Sequence, residues 1–126
     1  RADSARLVAQ FGGQGAAYLA ELTELAHLAA ARNRIRWFPG DVYRLEALEL
    51  LDLADNILKE LPVIVGDIRL LQETRVWEVG PGMLVNLKHL NVARNGLEKW
   101  PNQLDKLTLL ETLDLAGNKL TDMAPL

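Results

Sequence analysis

The chain has 126 residues, of which 26 are leucine, one is serine (Ser4) and none is cysteine; 17 acidic against 14 basic residues give a formal charge of −3. A chain of this length suits one domain and can bury roughly 65–70% of its unfolded surface without covalent staples. The composition excludes disulfides, thiolate metal sites and a cysteine nucleophile, leaves almost no room for a serine hydrolase, and argues against nucleic-acid binding, which needs clustered Lys and Arg.

The first element spans residues 1–24. From Gln14 to Leu25, Tyr18, Leu19, Leu22 and Leu25 fall along one helical face. Leu7-Val8-Ala9-Gln10-Phe11-Gly12-Gly13-Gln14-Gly15, followed by Tyr18-Leu19-x-Glu21-Leu22, resembles the opening strand, turn and helix of acyltransferase domains in type I fatty acid synthases. In that family the Gly-Gln-Gly turn supplies a backbone donor to an oxyanion hole. The family's Gly-His-Ser-x-Gly elbow is absent here, and neither His27 nor His89 has a serine or cysteine partner, so no transfer chemistry carries over. The stretch reads either as a glycine-rich turn in a capping coil or as a catalytically inactive relic or fusion of acyltransferase origin. It lacks the spacing and lysine of a phosphate loop.

Beyond residue 24 the leucines are periodic. Leu25-x-x-Leu28-x-Ala30-x-x-Asn33-x-Ile35 is followed by Leu48-x-x-Leu51-x-Leu53-x-x-Asn56-x-Leu58. Leu87-x-x-Leu90-x-Val92-x-x-Asn95-x-Leu97 and Leu110-x-x-Leu113-x-Leu115-x-x-Asn118-x-Leu120 repeat the pattern. Asn33 to Asn56 and Asn95 to Asn118 are the same step of 23 along the chain. A second half-unit recurs as Phe38-Pro39-x-x-Val42-x-x-Leu45, Leu61-Pro62-x-x-Val65-x-x-Ile68 and Trp100-Pro101-x-x-Leu104-x-x-Leu107. The L-x-L step is a short strand with alternate side chains on one face. The asparagine carries both a donor and an acceptor to the turn that leaves the strand. Proline stops the strand, and apolar sites three apart suit a 3-10 or short α turn. These residues, about 100 of 126, resemble the leucine-rich repeat family in its 23-residue, Leu-Pro-containing form. The expected fold is an α/β leucine-rich-repeat solenoid of about five coils, with a parallel sheet on the concave side and 3-10 or short helical turns on the convex side. Stepping back 23 from Asn33 reaches Gln10, so residues 1–24 read as an N-terminal cap or diverged first repeat, with repeats over 25–126.

The pattern slips between Asn56 and Asn95, a step of 39 where 23 is expected. Leu71-x-x-Thr74-x-Val76-x-x-Val79 leads into Gly80-Pro81-Gly82 and then Leu84-x-x-Leu87, with Val79 on the expected asparagine site. The expectation is one shortened repeat around 71–86, with a bend, a specialised patch or lost sequence as alternatives. The last coil ends at Leu126 with no capping helix, so truncation is expected, with self-association through an uncapped C-terminal edge.

The resemblance implies that variable strand positions line a concave surface and meet a partner. On it fall Asp52, Asp55, Arg75, Trp77, His89, Asn91, Arg94 and Asp114. Trp77 with two arginines resembles a protein-interface hot spot; core filling for Trp77, and salt bridges from Arg75 and Arg94 to Glu73, Glu78 or Asp114, are the alternatives. Asn33, Asn56, Asn95 and Asn118 are assigned to structure. Trp100 and Phe38 occupy core sites before proline, and Trp37 is off that phase. His27 and His89 share one concave column, and three coils between them would give ~14 Å, too far for one metal. The implied function is a non-enzymatic protein-interaction module, a scaffold or signalling adaptor fragment, or else a structural spacer. It needs no cofactor or metal, binds a protein rather than nucleic acid or membrane, and resembles cytoplasmic repeats of the Ras-regulator and plant-type group. No apolar run reaches the ~18–20 residues of a membrane span, no secretory leader is evident, and the missing initiator Met suggests a fragment or processed chain.

Overall fold

A computed structural model describes residues 24–38, 40–70 and 73–121. Four three-residue strands form a parallel sheet in the order β1 (His27–Ala29), β2 (Leu50–Asp52), β5 (His89–Asn91) and β6 (Thr112–Asp114). The register is the sequence repeat made spatial: Leu28 pairs with Leu51, Leu51 with Leu90, and Leu90 with Leu113. Backbone bonds carry the stacking past the strand ends, from Glu49 N–H to Ala26 C=O on one side to Asp55 N–H and Ala93 C=O on the other. The return segments hold 3-10 turns at Gly40–Arg44, Pro81–Met83 and Leu104–Lys106. This is a leucine-rich-repeat solenoid, with the parallel sheet on one side and short turns on the other.

The core lies between these two walls. Leu28, Leu51 and Leu90 project inward from the strands and meet Leu45, Leu48, Leu84 and Leu87 from the return segments, all buried. A single coil could not bury these side chains alone, and each coil supplies the cover for the next. Phe38 and Tyr43 add a stacked pair with ring centroids 4.5 Å apart, and the Tyr43 hydroxyl donates to the Pro62 carbonyl at 2.7 Å. Burial, with a smaller contribution from Glu60, raises the phenol's pKa and keeps it neutral. Trp100, expected in the core, is only half-buried. β6 is exposed along its length and pairs only with β5 among the described residues.

The irregular stretch is not a shortened coil. Ile64–Leu70 (β3) and Glu73–Val79 (β4) form a separate antiparallel pair, in register from Ile64 with Val79 to Leu70 with Glu73. β2 therefore lies directly beside β5, and among the described residues the sheet gains no strand from 73–86. The inserted span from Ile64 to Val79 makes up the whole surplus between Asn56 and Asn95. With it set aside, Pro81, Leu84 and Leu87 stand 23 before Leu104, Leu107 and Leu110, so the second coil is complete and carries a hairpin in its return segment. Val65 and Ile68 fit the repeat spacing but are β-formers in an inserted strand.

The base of the hairpin is seated against both neighbouring coils. A Cβ on Gly40 would stand 2.8 Å from Ile64 Cδ1, so the bare glycine makes room for the Ile64–Val79 pair. On the other side Gln103 Nε2 donates to Glu78 Oε1 of β4 at 3.5 Å, while Gln103 Oε1 accepts from Gly82 N–H just beyond the hairpin at 2.9 Å. Val63 and Gly80 flank the first hairpin pair, whose partners stand about 4.5–5.5 Å apart, close to the ~3.8 Å of a peptide-linked neighbour. Deleting 64–79 and joining Val63 to Gly80 is expected to leave a cooperatively folding solenoid. Thermal unfolding followed by circular dichroism checks this, and a loss of cooperative unfolding would show that the hairpin is needed to close the coil.

Candidate concave binding face

The middle residue of each strand points into the core, so its two neighbours face the opposite surface. Two columns result. One holds His27, Leu50, His89 and Thr112; the other holds Ala29, Asp52, Asn91 and Asp114. Leu50, Asp52, His89, Asn91, Thr112 and Asp114 line a shallow depression across β2, β5 and β6. His89 Nδ1 and Thr112 Oγ1 are 2.8 Å apart, sharing a hydrogen bond across the last two strands. His27 and His89 are two strands apart rather than three coils, about 9–10 Å at ordinary strand spacing.

Asp52, Asn91 and Asp114 do the same local work. Each Oδ1 accepts from the backbone N–H two residues on, at Ala54 (3.1 Å), Ala93 (3.0 Å) and Ala116 (3.0 Å). These bonds fix the side chains at the strand exits, so the polar rim of the depression is preorganised.

The next rung is a charge column. Arg32, Asp55 and Arg94 all adopt left-handed backbone conformations, with φ of 58°, 57° and 54°, and Gly117 follows at 71°. This conformation turns each N–H toward the following coil, where Arg32 donates to Ala54, Asp55 to Ala93 and Arg94 to Ala116. The side chains alternate in sign. Arg94 grips Asp55 with two bonds, Nε to Oδ1 at 2.7 Å and Nη2 to Oδ2 at 2.9 Å. That hydrogen bonding is the main reason the Asp55 carboxyl lies below the usual range, with Arg94 and Arg32 adding Coulombic support. The Arg94 stem passes over Gly117, where a Cβ would stand 2.9 Å from Arg94 Cγ.

The structure thus brings Asp52, His89, Asn91 and Asp114 together, with Asp55 and Arg94 clasped at their edge. Arg75 and Trp77 are elsewhere. They lie on β4, opposite Ile68 and Gly66, and the grouping of Trp77 with two arginines on the concave face does not form. The Asp55–Arg94 pair was not anticipated, although the alternation Arg32, Asp55, Arg94 at equivalent repeat sites signals it. Leu50 and Thr112 complete the lining and follow from their places beside the inward leucines. On the flank, Trp37 is 79% exposed and borders a second groove with Arg36, Ile57, Lys59, Pro62 and Ile64. Among the described residues no group of His, Asp and Glu is placed to hold a metal, and no helix is long and apolar enough to cross a membrane.

Below the face runs the asparagine ladder. Asn56 Oδ1 accepts from Asn33 N–H (2.8 Å) and Ile35 N–H (2.9 Å), and its Nδ2 donates to Ala30 (3.1 Å) and Leu53 (2.9 Å) carbonyls. Asn95 Oδ1 accepts from Leu58 N–H, and Asn118 Oδ1 from Asn95 and Leu97 N–H. Each side chain therefore joins its own coil to the one before.

Comparison with known proteins agrees with this geometry. Residues 85–126 match a family model for leucine-rich repeats in two copies. The chain is 32% identical over 122 residues to leucine-rich repeat-containing G-protein coupled receptor 5 of Rattus norvegicus, covering 85% of the chain and 14% of the receptor. It is 31% identical over 105 residues to leucine-rich repeats and immunoglobulin-like domains protein 3 of Homo sapiens, covering 76% of the chain and 9% of that protein. Adenylate cyclase of Schizosaccharomyces pombe is 31% identical over 106 residues, covering 83% of the chain and 5% of the cyclase. The chain thus spans a small part of these relatives. The acyltransferase resemblance gains no support from them, and residues 7–22 lie outside the described residues.

Proposed function

We propose that this chain is a binding module, not an enzyme, and that it engages a protein partner on its concave face. The observation that carries the reading is the depression across β2, β5 and β6, where Leu50 offers an apolar contact among Asp52, His89, Asn91, Thr112 and Asp114. These side chains stand on paired strands, and three are fixed by bonds to their own backbone. A rigid polar rim around a small apolar centre is the ordinary plan of a protein interface. Scaffold or signalling work in the cytoplasm is the finer form of this proposal, as an extension of the repeat type.

The test is partner capture from extracts with matched charge changes on the two sides of the solenoid. Asn91→Arg together with Thr112→Arg is expected to abolish captured species that survive Asp105→Arg, which lies in a return-segment turn. Equal capture by both variants, at equal thermal stability, would move the interface off the concave face.

A further inference from the structure

The four asparagines occupy the same repeat site, three bridging to the preceding coil and Asn33 bonding its own turn, but they differ in the next residue along the chain. Asn33, Asn56 and Asn118 precede Arg34, Ile57 and Lys119, whereas Asn95 precedes Gly96, the one Asn-Gly pair in the chain. We propose that Asn95 is a latent modification site, held unreacted by the ladder and converted to aspartate and isoaspartate when its coil opens.

The chemistry needs only water and a base. The Gly96 backbone nitrogen gives up its proton and attacks Cγ of Asn95. A C–N bond forms, the C–Nδ2 bond breaks, and the side-chain nitrogen leaves as ammonia. The resulting succinimide is opened by water at one carbonyl or the other, giving aspartate or isoaspartate. No oxidant or reductant enters. A side chain on the following residue crowds the ring closure, which sets Asn95 apart from the other three.

The closed fold blocks the attack at both ends. Gly96 N–H is engaged with the Leu58 carbonyl at 2.8 Å. The Asn95 amide is held by Leu58 N–H at 3.0 Å on Oδ1 and by donation from Nδ2 to Leu53 (2.9 Å), Val92 (3.1 Å) and Ala93 (3.3 Å) carbonyls. Cγ cannot swing toward the Gly96 nitrogen without breaking these bonds. The reaction therefore depends on the fraction of time the third coil is open.

Reaction would be one-way for the structure as well. Aspartate would set a carboxylate against three carbonyl oxygens, and isoaspartate would add a backbone carbon between Asn95 and the buried Leu97. Once opened and converted, the coil would not close as before. The glycine itself is not a conformational need. Its φ lies outside the left-handed region, and a Cβ there would meet only Leu58 O at an ordinary 3.5 Å. Gly96→Ala is thus a clean control.

The experiment incubates the full chain in mildly alkaline buffer, with and without denaturing urea. Proteolysis and mass spectrometry then score the exchange of NH2 for OH at each ladder asparagine. In urea, Asn95 is expected to convert at least about tenfold faster than Asn33, Asn56 or Asn118, and removing urea is expected to slow it at least about tenfold. Gly96→Ala is expected to remove the difference in urea without lowering the unfolding midpoint. Conversion of Asn95 at the same rate with and without urea would overturn the protective role of the ladder. Equal rates at all four asparagines in urea would overturn the site.

Discussion

Replacing Asn56 with alanine is expected to cost about 3 kcal/mol and to lower the unfolding midpoint by roughly 10 °C. Asn56 is the one buried polar side chain in the described core, 6% exposed. Its loss strands Asn33 and Ile35 N–H groups, which have Asn56 Oδ1 as acceptor, and removes one of two donors at the Ala30 and Leu53 carbonyls, which Asn33 and Asn95 Nδ2 still reach. An unmet buried group costs about 1–3 kcal/mol, and water entering the gap offsets part of the sum. Asn56→Asp separates the two halves of the role. The acceptor survives, but Nδ2 is replaced by an oxygen facing carbonyls. Only the protonated acid can donate there, so its folded pKa should be raised above the unfolded value. Stability of that variant should then fall as pH rises from the unfolded carboxyl pKa toward the folded one, a trend readable by urea titration across pH. A variant as stable as the parent at neutral pH would show that the donor half contributes nothing.

Leu51→Ala is expected to be as damaging, at about 3–4 kcal/mol, through a cavity at the centre of the stack. Leu51 is 1% exposed and lies in register between Leu28 and Leu90. The same substitution at Leu113, the equivalent site on β6, is expected to cost less than half as much, because that side chain is 37% exposed and its strand has one neighbour among the described residues. Urea unfolding of the two variants checks the contrast. Equal losses would mean that burial in the stack, rather than the leucine motif itself, has been assigned too large a role.

The contrast also marks what the sequence could reveal. Leu28, Leu51, Leu90 and Leu113 are legible as one column because the strand period and the repeat period act on the same residues. The asparagines are legible because nothing else in the turn can serve two carbonyls and an N–H at once. The hairpin was hidden by coincidence. Val65 and Ile68 meet the three-residue spacing of a return segment while being equally suited to a strand, and local spacing cannot choose between the two. The downstream residues could have chosen, since Leu84 and Leu87 stand 23 before Leu107 and Leu110. Of the candidate face, the positions beside the inward leucines followed from the strand period. Arg75 and Trp77 did not, because their placement depended on which strand pairs with β2.

The left-handed residues above the ladder carry one further consequence. A residue with a Cβ is held in that conformation at a cost of roughly 1–2 kcal/mol, and glycine avoids it. Three of the four equivalent sites nevertheless hold Arg32, Asp55 and Arg94, and only Gly117 is relaxed. The solenoid thus gives up stability it could have had in order to keep ionised groups at the mouth of its concave face. A version with glycine at all three would be a sturdier scaffold with a nearly chargeless lip, and less able to discriminate between partners by charge.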